Sequence, residues 1–480
     1  MVIALDIGTS STRATVYDAQ ARPVPGRFHQ VPHDPRTTAD GGVEHDASLL
    51  LEAVGICLDA VLAGPRLPEI DGVGISTFWH GLAGFDAADR VSTPVFTWAD
   101  SRSAEEAELL RAALDEDALH ARTGCHLHAS YWPAKIRWLT RARPEEVRRV
   151  VRWGSIGEFI ELALFGGART SVSMASGTGL LNQDSITWDA EALAAAGIDE
   201  RQLFRLTDRM EAHRGLRAPW AARWPALRRA AWFPAVGDGA AGSIGSDCTE
   251  TSRIALNLGT SAALRVVTMQ PGTPPRGLWR YRLDRRRSIV GGATSEGGNV
   301  WAWCQDVLRL PNDAAVEAAL ADASPDGHGL TVLPFLAGER SPGWRADRRG
   351  AITGLSLDTT ALEIVHAALE AVALRLALVY ELLKGHATSD HLVVGSGGAL
   401  ARSPAWTRMI ADAVGHVVTL FSETEATSRG VAKLTLEALG ILPDLSAAQA
   451  PLGKAFAPDP ARHARLREAL ARQRRLAERV

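Results

Sequence analysis

Short apolar runs recur along the chain, and two of them open an internal repeat. Residues 3–10 read Ile-Ala-Leu-Asp-Ile-Gly-Thr-Ser, and residues 254–261 read Ile-Ala-Leu-Asn-Leu-Gly-Thr-Ser. In each copy the apolar run, the Gly-Thr-Ser turn and a second apolar run predict a β-hairpin. Because the copies lie roughly half a chain length apart, the repeat predicts two related α/β domains, residues 1–247 and 248–480.

Two further patterns in the second half predict regular elements. Residues 391–399 have the pattern of a buried strand followed by a glycine turn, and Ser403 is placed to cap a helix that stops at Gly415. A strand, a glycine turn and a helix in that order leave backbone N–H groups free to bind a ligand. Residues 360–363, Thr-Ala-Leu-Glu, form a capping box that opens a long apolar helix ending near Gly385. We expect this helix to be buried and to pack the domain.

Composition and charge limit the classes to which the chain can belong. The 480 residues are 46% apolar and 22% charged, with a formal net charge of −3. This composition is typical of a soluble globular protein and gives no overall field for nucleic acid or anionic membranes. No basic segment of a secretory signal opens the sequence, and no apolar run approaches the roughly 20 residues of a membrane helix, so we expect a cytosolic protein. The arginine-rich residues 280–287 and 460–480 are expected to form a hairpin tip and a solvated helix.

Cysteine and lysine positions argue against several kinds of site. The four cysteines are widely spaced, and the cluster at residues 125–128, Cys-His-Leu-His, has no second ligand cluster to complete a zinc site. Lysine occurs only at positions 135, 384, 433 and 454, and none of these lies in the frame G-x-x-x-x-G-K-[S/T]. The glycine loop, strand lysine and H-R-D loop of protein kinases are also missing from the sequence. Any nucleotide site must therefore use another scaffold.

The first hairpin turn carries groups suited to phosphoryl transfer, which needs positioned phosphates, a divalent cation and a carboxylate aligned with the attacking hydroxyl. Asp6 ends an apolar run, so its carboxylate can hold Mg²⁺ directly or through water. The following turn offers N–H and O–H donors, whereas Asn257 replaces the aspartate in the second copy. A tight hairpin in which glycine merely permits positive φ is the alternative. The phosphate-binding candidates are Gly8, Thr9, Ser10, Ser11, Thr12 and Arg13 in the first turn, and Gly259, Thr260 and Ser261 in the second.

Three more segments carry polar groups near the ends of predicted strands. Asp238 follows an apolar run and precedes small residues that let a ligand approach, which suits a general base; a helix-capping aspartate is the alternative. His80 follows a predicted strand over residues 70–77 and adjoins Trp79. This pair of side chains can hold a polyol, although a lone histidine is more often structural. The third segment, residues 97–102, adds Trp98, Asp100 and Arg102.

Taken together, these segments resemble the FGGY carbohydrate kinases, which belong to the superfamily of sugar kinases, heat-shock chaperones and actin. The resemblance spans nearly the whole chain and keeps the order of the family's motifs. Residues 6–13 resemble the first phosphate motif, residues 257–261 the second, and residues 395–399 the adenosine motif. Asp238 stands where the family places its catalytic base. The resemblance implies two ribonuclease-H-like α/β domains and an active-site cleft between them.

The resemblance also implies the ligands and the residues that bind them. ATP and Mg²⁺ are the expected cofactors, with Asp6 and Asp238 as metal ligands and Asp238 as the base. A small sugar or sugar acid is the expected second substrate, with no nucleic-acid or membrane partner, and we expect a monomer or homodimer. The expected adenosine contacts are Gly397, Gly398 and Ala399. The expected substrate contacts are Trp79, His80, Asp100, Arg102 and Asp238.

Within the family, three strings are most similar to gluconate kinases, at residues 97–102, 334–344 and 427–430. This similarity predicts phosphorylation of D-gluconate to 6-phospho-D-gluconate. Two positions depart from the familiar members. Trp79 stands where those members carry methionine, so we expect a reshaped sugar pocket, and Arg402 stands where some relatives carry a nucleotide-contacting asparagine.

A gluconate kinase must hold a carboxylate beside ATP, so an arginine is expected to face the sugar acid. The candidates are Arg102, Arg340 and Arg345, and an ordinary ion pair is the alternative for each. A pentulose kinase is the alternative within the family, and a non-kinase ATPase or a sugar-sensing protein is the more distant one. A sensing protein would need a DNA-binding module, for which the start of the fold near residue 6 is expected to leave no room at the N-terminus.

Overall fold

The N-terminal half of the computed structural model forms one mixed sheet; the structure describes residues 1–270 and 272–479. The strands of this sheet are β1 (Val2–Ile7), β2 (Ser11–Tyr17), β3 (Pro23–Pro32), β4 (Gly72–Thr77), β5 (Ala231–Trp232) and β6 (Val236–Gly237). Their order is β5-β4-β1-β2-β3, and β6 also pairs with β4. Strand β1 runs antiparallel to β2 and parallel to β4. Because β1 and β4 are buried along their whole length, the ends of these strands are held rigidly.

The C-terminal half repeats this arrangement. Its sheet contains β7 (Arg253–Leu258), β8 (Ala262–Thr268), β9 (Trp279–Arg282), β10 (Ser288–Thr294), β11 (Leu392–Ser396), β12 (Val418–Phe421) and β13 (Leu452–Phe456). The order is β9-β10-β8-β7-β11-β12-β13. Strand β7 is antiparallel to β8 and parallel to β11, as β1 is to β2 and β4. The two predicted hairpins and the predicted α/β fold class are therefore confirmed.

Helices and short strands surround the two sheets. Four helices bear on the site: α1 (Asp238–Gly245), α2 (Ala361–Leu383), α3 (Pro404–Val414) and α4 (Ala426–Ala438). The other α-helices are Ala47–Leu62, Ala104–Ala113, Glu116–Thr123, Trp132–Ala142, Pro144–Val147, Ile156–Phe165, Val172–Ser176, Ala190–Ala196, Ala218–Arg223, Gly298–Val307, Asp313–Asp322, Gly398–Arg402 and Pro460–Ala477. The short strands are Arg36–Thr37, Val43–His45, Ala83–Phe85, Val95–Phe96, Arg152–Gly154, Thr170–Ser171, Leu181–Asn182, Thr187–Trp188, Leu206–Thr207, Thr331–Leu333 and Ala351–Thr353. Within the described ranges, no helix combines the length and apolarity that crossing a membrane requires.

Capping residues identified in the sequence set the ends of the C-terminal helices. Thr360 caps α2 and forms the predicted capping box with Glu363, and most of α2 is buried against the C-terminal sheet. Ser403 caps α3, which ends at Gly415 in the left-handed conformation (φ 69°). The glycine turn before it links β11 to the short helix Gly398–Arg402, so the predicted order of strand, turn and helix is confirmed.

Helix α4 belongs to the C-terminal half of the chain but packs on the N-terminal sheet and on α1. The crossing with α1 is close because glycines replace side chains there. A Cβ at Gly245 would overlap the carbonyl of Ala426, and a Cβ at Gly430 would overlap the carbonyl of Ala241. Lys433 and Arg429 of α4 pair with Asp247, just beyond the end of α1. Helix α4 therefore couples the two halves directly behind Asp238.

The two arginine-rich stretches form a hairpin and a terminal helix. Strands β9 and β10 make the hairpin, with residues 283–287 at its tip, and the second stretch contains the helix Pro460–Ala477. The arginines on β9 face the protein rather than solvent. Arg280 pairs with Asp184 at 2.8 Å, and Arg282 donates a hydrogen bond to the carbonyl of Gln183. The β9 arginines thus hold the two halves together.

Candidate active site

Asp238 stands where β6 ends and α1 begins. Its Oδ1 accepts a hydrogen bond from the N–H of Gly239 at 2.7 Å, but the N-cap residue of α1 is Gly237, so Asp238 is not the helix-capping aspartate considered as the alternative. Burial and the negative charge of Asp6 raise the pKa of Asp238 to about 6, while the positive charge of Arg265 opposes the rise. A carboxyl group whose pKa lies near neutral can accept a proton from a substrate hydroxyl.

Asp6 lies at the same edge of the N-terminal sheet, near the end of β1. Its Oδ1 accepts a hydrogen bond from the hydroxyl of Ser76 at 2.8 Å, and its Oδ2 pairs with Arg13 at 3.1 Å. Burial raises the pKa of Asp6, although Arg13 and Ser76 act against it. A divalent cation would relieve the repulsion between the carboxylates of Asp6 and Asp238. The two residues therefore fit a Mg²⁺ site, where the ion would neutralise phosphate charge.

The glycine of each Gly-Thr-Ser turn donates an internal hydrogen bond, which spans three residues in the first turn and two in the second. Gly8 N–H donates to the carbonyl of Ser11 at 2.9 Å, and Gly259 N–H donates to that of Ser261 at 3.0 Å. Ser11 and Thr12 lie within β2 and are buried, and the hydroxyl of Thr12 already contacts a histidine ring. The first-turn residues left for a phosphate to contact are Gly8, Thr9 and Ser10.

A cavity of about 610 Å³ lies between the second turn and the glycine turn after β11. This volume is suitable for a nucleotide. Gly397 has a φ of +106°, and a Cβ there would overlap the backbone of Leu258, so the close crossing of this turn over β7 requires glycine. The cavity brings together the predicted second phosphate turn and the predicted adenosine motif. Its lining includes Gly259, Thr260, Gly398, Ala399 and Arg402, and three tryptophans that sequence reasoning missed: Trp301, Trp303 and Trp406.

Trp79 lies in a cradle of glycines beside Asp238. A Cβ at Gly177, Gly237 or Gly239 would collide with the indole ring. The indole Nε1–H donates a hydrogen bond to the carbonyl of Ser173 at 3.0 Å. This cradle explains physically how the chain accommodates a tryptophan at this position.

His80 lies beside Trp79 with its ring orientation fixed. Its Nδ1 is 2.5 Å from the carbonyl of Gly177, and because a carbonyl only accepts, Nδ1 carries the proton. Burial and the charge of Arg340 hold the pKa of His80 well below its usual value. The neutral ring therefore has its proton on Nδ1 and a lone pair on Nε2, which can accept a hydrogen bond from a substrate hydroxyl.

Asp100 and Arg102 have protein partners instead of facing a ligand. Arg102 pairs with Asp100 and with Glu44 (2.9 Å to the latter), and its guanidinium lies 4.5 Å from the ring centre of Trp138. Asp100 also accepts a hydrogen bond from a backbone N–H at 3.1 Å. These contacts fix the loop that carries Trp98. We therefore assign Asp100 and Arg102 a structural role in place of the substrate contact expected from the sequence.

The C-terminal half contributes several cleft residues that sequence reasoning missed. Tyr281 on β9 makes edge contacts with Trp79 (4.9 Å) and His80 (5.6 Å), and its hydroxyl is 2.6 Å from that of Tyr131. Arg265 on β8 comes close enough to Asp238 to influence its pKa. Alternation along β8 and the Trp-Arg-Tyr-Arg string at residues 279–282 are the only sequence signals for these residues, and neither indicates which strand faces the cleft.

Two histidine clusters lie outside this site. His126 and His128 of the Cys-His-Leu-His segment pack against Trp344, with ring centres 4.9 and 5.3 Å apart. His328, His366 and Glu370 place their polar atoms within 4.8 Å of one another. Nδ1 of His328 accepts a hydrogen bond from a backbone N–H, so its Nε2 carries the proton and faces the carboxylate of Glu370 at 3.4 Å. That contact leaves the ring of His328 without a lone pair for a metal, so His328 is not a ligand in this arrangement.

The two-domain fold, the paired Gly-Thr-Ser turns and the carboxylate pair at one sheet edge form the arrangement that the resemblance to sugar kinases implies. The family model described as "FGGY family of carbohydrate kinases, N-terminal domain" matches residues 1–245, and the model of the family's C-terminal domain matches residues 254–439. The chain therefore belongs to the FGGY family of carbohydrate kinases. Kinases of this family use ATP.

Individual relatives carry different substrate names at similar identity. The chain is 27% identical to a gluconokinase of Bacillus subtilis over 95% of this chain and 91% of that protein. It is 31% identical to glycerol kinase 1 of Pseudomonas aeruginosa over 92% and 91%. The structure of a ligand-bound xylulose kinase from Lactobacillus acidophilus superimposes with a TM-score of 0.90 and 25% identity, over 99% and 97%. These comparisons define the family and its kinase activity, but they do not identify the sugar that is phosphorylated.

Proposed function

We propose that the protein is a cytosolic gluconokinase, which transfers the terminal phosphate of ATP to D-gluconate with Mg²⁺ and yields 6-phospho-D-gluconate. The similarity to a gluconokinase supports this substrate, but glycerol and xylulose kinases are similarly related. The proposal therefore rests on the electrostatics of the cleft.

The observation that carries the proposal is the unpaired guanidinium of Arg340. Of the three candidate arginines, Arg102 is bound by two carboxylates, and Arg345 is exposed and bonded to Asp347. Arg340 is only 8% exposed, yet its side chain has no hydrogen bond or ion pair with any described residue, and its Nε is buried without a partner. A buried charge without a counter-ion is costly, so an anionic ligand stabilises it.

The position of Arg340 supports a site for that anion in the proposed sugar pocket. Its guanidinium lies 5.2 Å from the ring centre of Trp98 in the N-terminal half, and its charge lowers the pKa of His80 and His128. A sugar acid whose carboxylate meets Arg340 and whose terminal hydroxyl meets Asp238 would cross the pocket beside Trp79. Asp238 would take the hydroxyl proton while the two turns hold the phosphates of ATP.

A substrate panel tests the proposal. ADP release is measured with gluconate, xylulose, ribulose and glycerol, and we expect the highest kcat/KM for gluconate. A higher kcat/KM for a neutral pentulose would refute the gluconate assignment and leave the membership of the kinase family untouched.

A further inference from the structure

Two unpaired guanidinium groups from the C-terminal half face the same pocket. Arg265 projects from β8, four residues after the second phosphate turn, and like Arg340 it has no hydrogen bond or ion pair with a described residue. Burial lowers the pKa of Arg265 to about 10; the negative charge of Asp238 opposes this shift, and the positive charge of Arg340 adds to it. Burial raises the pKa of Tyr281 in the cleft, and the positive charges of both arginines oppose that rise. A Cβ at Gly239 would lie 2.9 Å from Nη2 of Arg265, so this guanidinium lies beside the residue that follows Asp238.

Elsewhere the fold gives buried arginines a protein partner, which is a backbone carbonyl for Arg27 and Arg282 and a carboxylate for the others. Those with an ion pair include Arg102, Arg209, Arg280, Arg375 and Arg429. An unpaired buried charge costs free energy, and a purely structural arginine makes no interaction here that would offset this cost. Arg265 and Arg340 break the pattern only at the pocket, so a ligand is the partner that fits.

The carboxyl groups near these arginines do not supply the missing charge. Asp238 forms no ion pair with Arg265; its charge stabilises the guanidinium only from a distance, and it must stay free to accept a proton. Glu296 is buried with both carboxyl oxygens unpartnered, and burial raises its pKa to about 8, so it is mostly protonated at neutral pH. The pocket therefore has an excess of positive charge that its own residues leave uncompensated.

We propose that Arg265 and Arg340 form a two-armed clamp that holds the carboxylate of the sugar acid between their guanidinium groups. Arg265 thereby becomes a specificity residue, an inference that rests on the proposed gluconokinase function and adds a residue to it. One carboxylate between two guanidiniums replaces repulsion by charge-assisted hydrogen bonds. A neutral sugar of the same shape leaves both charges buried and unpaired, so the clamp also rejects neutral competitors.

The test compares gluconate with D-gluconamide, which has the same carbon chain without the charge. The variants are R265M, R340M and the double variant, since methionine keeps much of the apolar stem, with R265K to restore the charge. R345M is the matched control, because Arg345 lies near the same string but is exposed. Calorimetry gives Kd for each ligand, steady-state kinetics give kcat and KM, and thermal melting verifies folding.

We expect the wild type to bind gluconate on the order of 10²-fold more tightly than gluconamide. Each single methionine variant should weaken gluconate binding by roughly 30-fold or more, the low end of the cost of removing one partner of a buried charged pair. Gluconamide binding should hardly change. The double variant should lose less than the product of the two single losses, because both arms hold one group. R265K should recover part of the affinity, and R345M should behave as wild type.

Other outcomes separate failure of the clamp from failure of the gluconokinase proposal. If the wild type uses gluconate and R265M binds it normally, the clamp is wrong and the function stands. If R265M lowers kcat for gluconate and gluconamide alike with Kd unchanged, Arg265 acts on the phosphoryl group and the clamp is again wrong. A wild type that does not distinguish gluconate from gluconamide overturns the clamp, and one that turns over neither overturns the gluconokinase proposal.

Discussion

At the scale of single residues, the account depends most on Asp238. We predict that Asp238→Asn folds normally, because the amide oxygen can still accept the hydrogen bond from the N–H of Gly239. The variant should lose phosphoryl transfer by about 10²–10⁴-fold in kcat, as removal of a general base typically does. Thermal melting and a coupled ADP assay measure the two properties. Retention of more than about a tenth of the wild-type kcat would show that Asp238 is not the base.

The pKa of Asp238 predicts the acid side of the pH profile. A base with a raised pKa of about 6 is mostly deprotonated above that pH and becomes protonated as the pH falls through it. We therefore expect kcat/KM to be level above pH 7 and to fall about tenfold per pH unit below 6. A discontinuous assay at saturating Mg²⁺ avoids the pH sensitivity of coupling enzymes. A profile that stays level down to pH 5 would contradict the assignment.

The divergence of the two turns predicts an asymmetry in metal dependence. Asp6→Asn removes a carboxylate from the pair that fits Mg²⁺, whereas Asn257→Asp adds one on the opposite turn. Asp6→Asn should therefore raise the Mg²⁺ concentration for half-maximal activity far more than Asn257→Asp does. Magnesium titrations of the two variants make the comparison. Equal effects would mean that Asp6 has no special role at the ion.

At the scale of elements, the glycine crossing of α1 and α4 is the most sensitive contact. A Cβ at Gly430 would overlap the carbonyl of Ala241, so Gly430→Ala must push α4 away from α1, the helix that begins with Asp238. We expect a loss of about 1–3 kcal/mol in the free energy of unfolding, measured by urea denaturation. Gly167→Ala is the control, because nothing lies within 4 Å of a Cβ there. Equal stability of the two variants would show that the crossing tolerates a side chain.

The elements also show how far the sequence could predict this protein. Hairpins, capping boxes and glycine turns depend on neighbouring residues, so Thr360, Ser403 and the turn at Gly397 could be located in advance. Cleft residues such as Arg265 and Tyr281 depend on which face of a strand the opposite domain covers, and short-range pattern does not contain that information. The same limit explains why the sequence predicts a substrate contact for Arg102. Its ion-pair partner Glu44 is distant in sequence, so short-range pattern does not reveal the pair.

At the scale of the whole molecule, the two halves of the chain contribute different groups to the proposed site. In the proposed reaction the N-terminal half would supply Asp6, Asp238 and most of the sugar pocket, and the C-terminal half would supply the cavity expected to hold the nucleotide and both unpaired arginines. Because the proposed site draws on both halves, we expect phosphoryl transfer to require both halves to close on their ligands. Closing the cleft also excludes water, and ATP hydrolysis without a sugar should therefore be slow.

Phosphorus NMR of one reaction mixture tests this account most directly. Purified protein, Mg²⁺ and ATP are observed first alone and then after gluconate is added. The account predicts stable ATP at first, and then a phosphomonoester signal of 6-phospho-D-gluconate that grows in equal amount with ADP and without inorganic phosphate. Release of inorganic phosphate at the same rate with and without gluconate would contradict the account and identify a non-kinase ATPase.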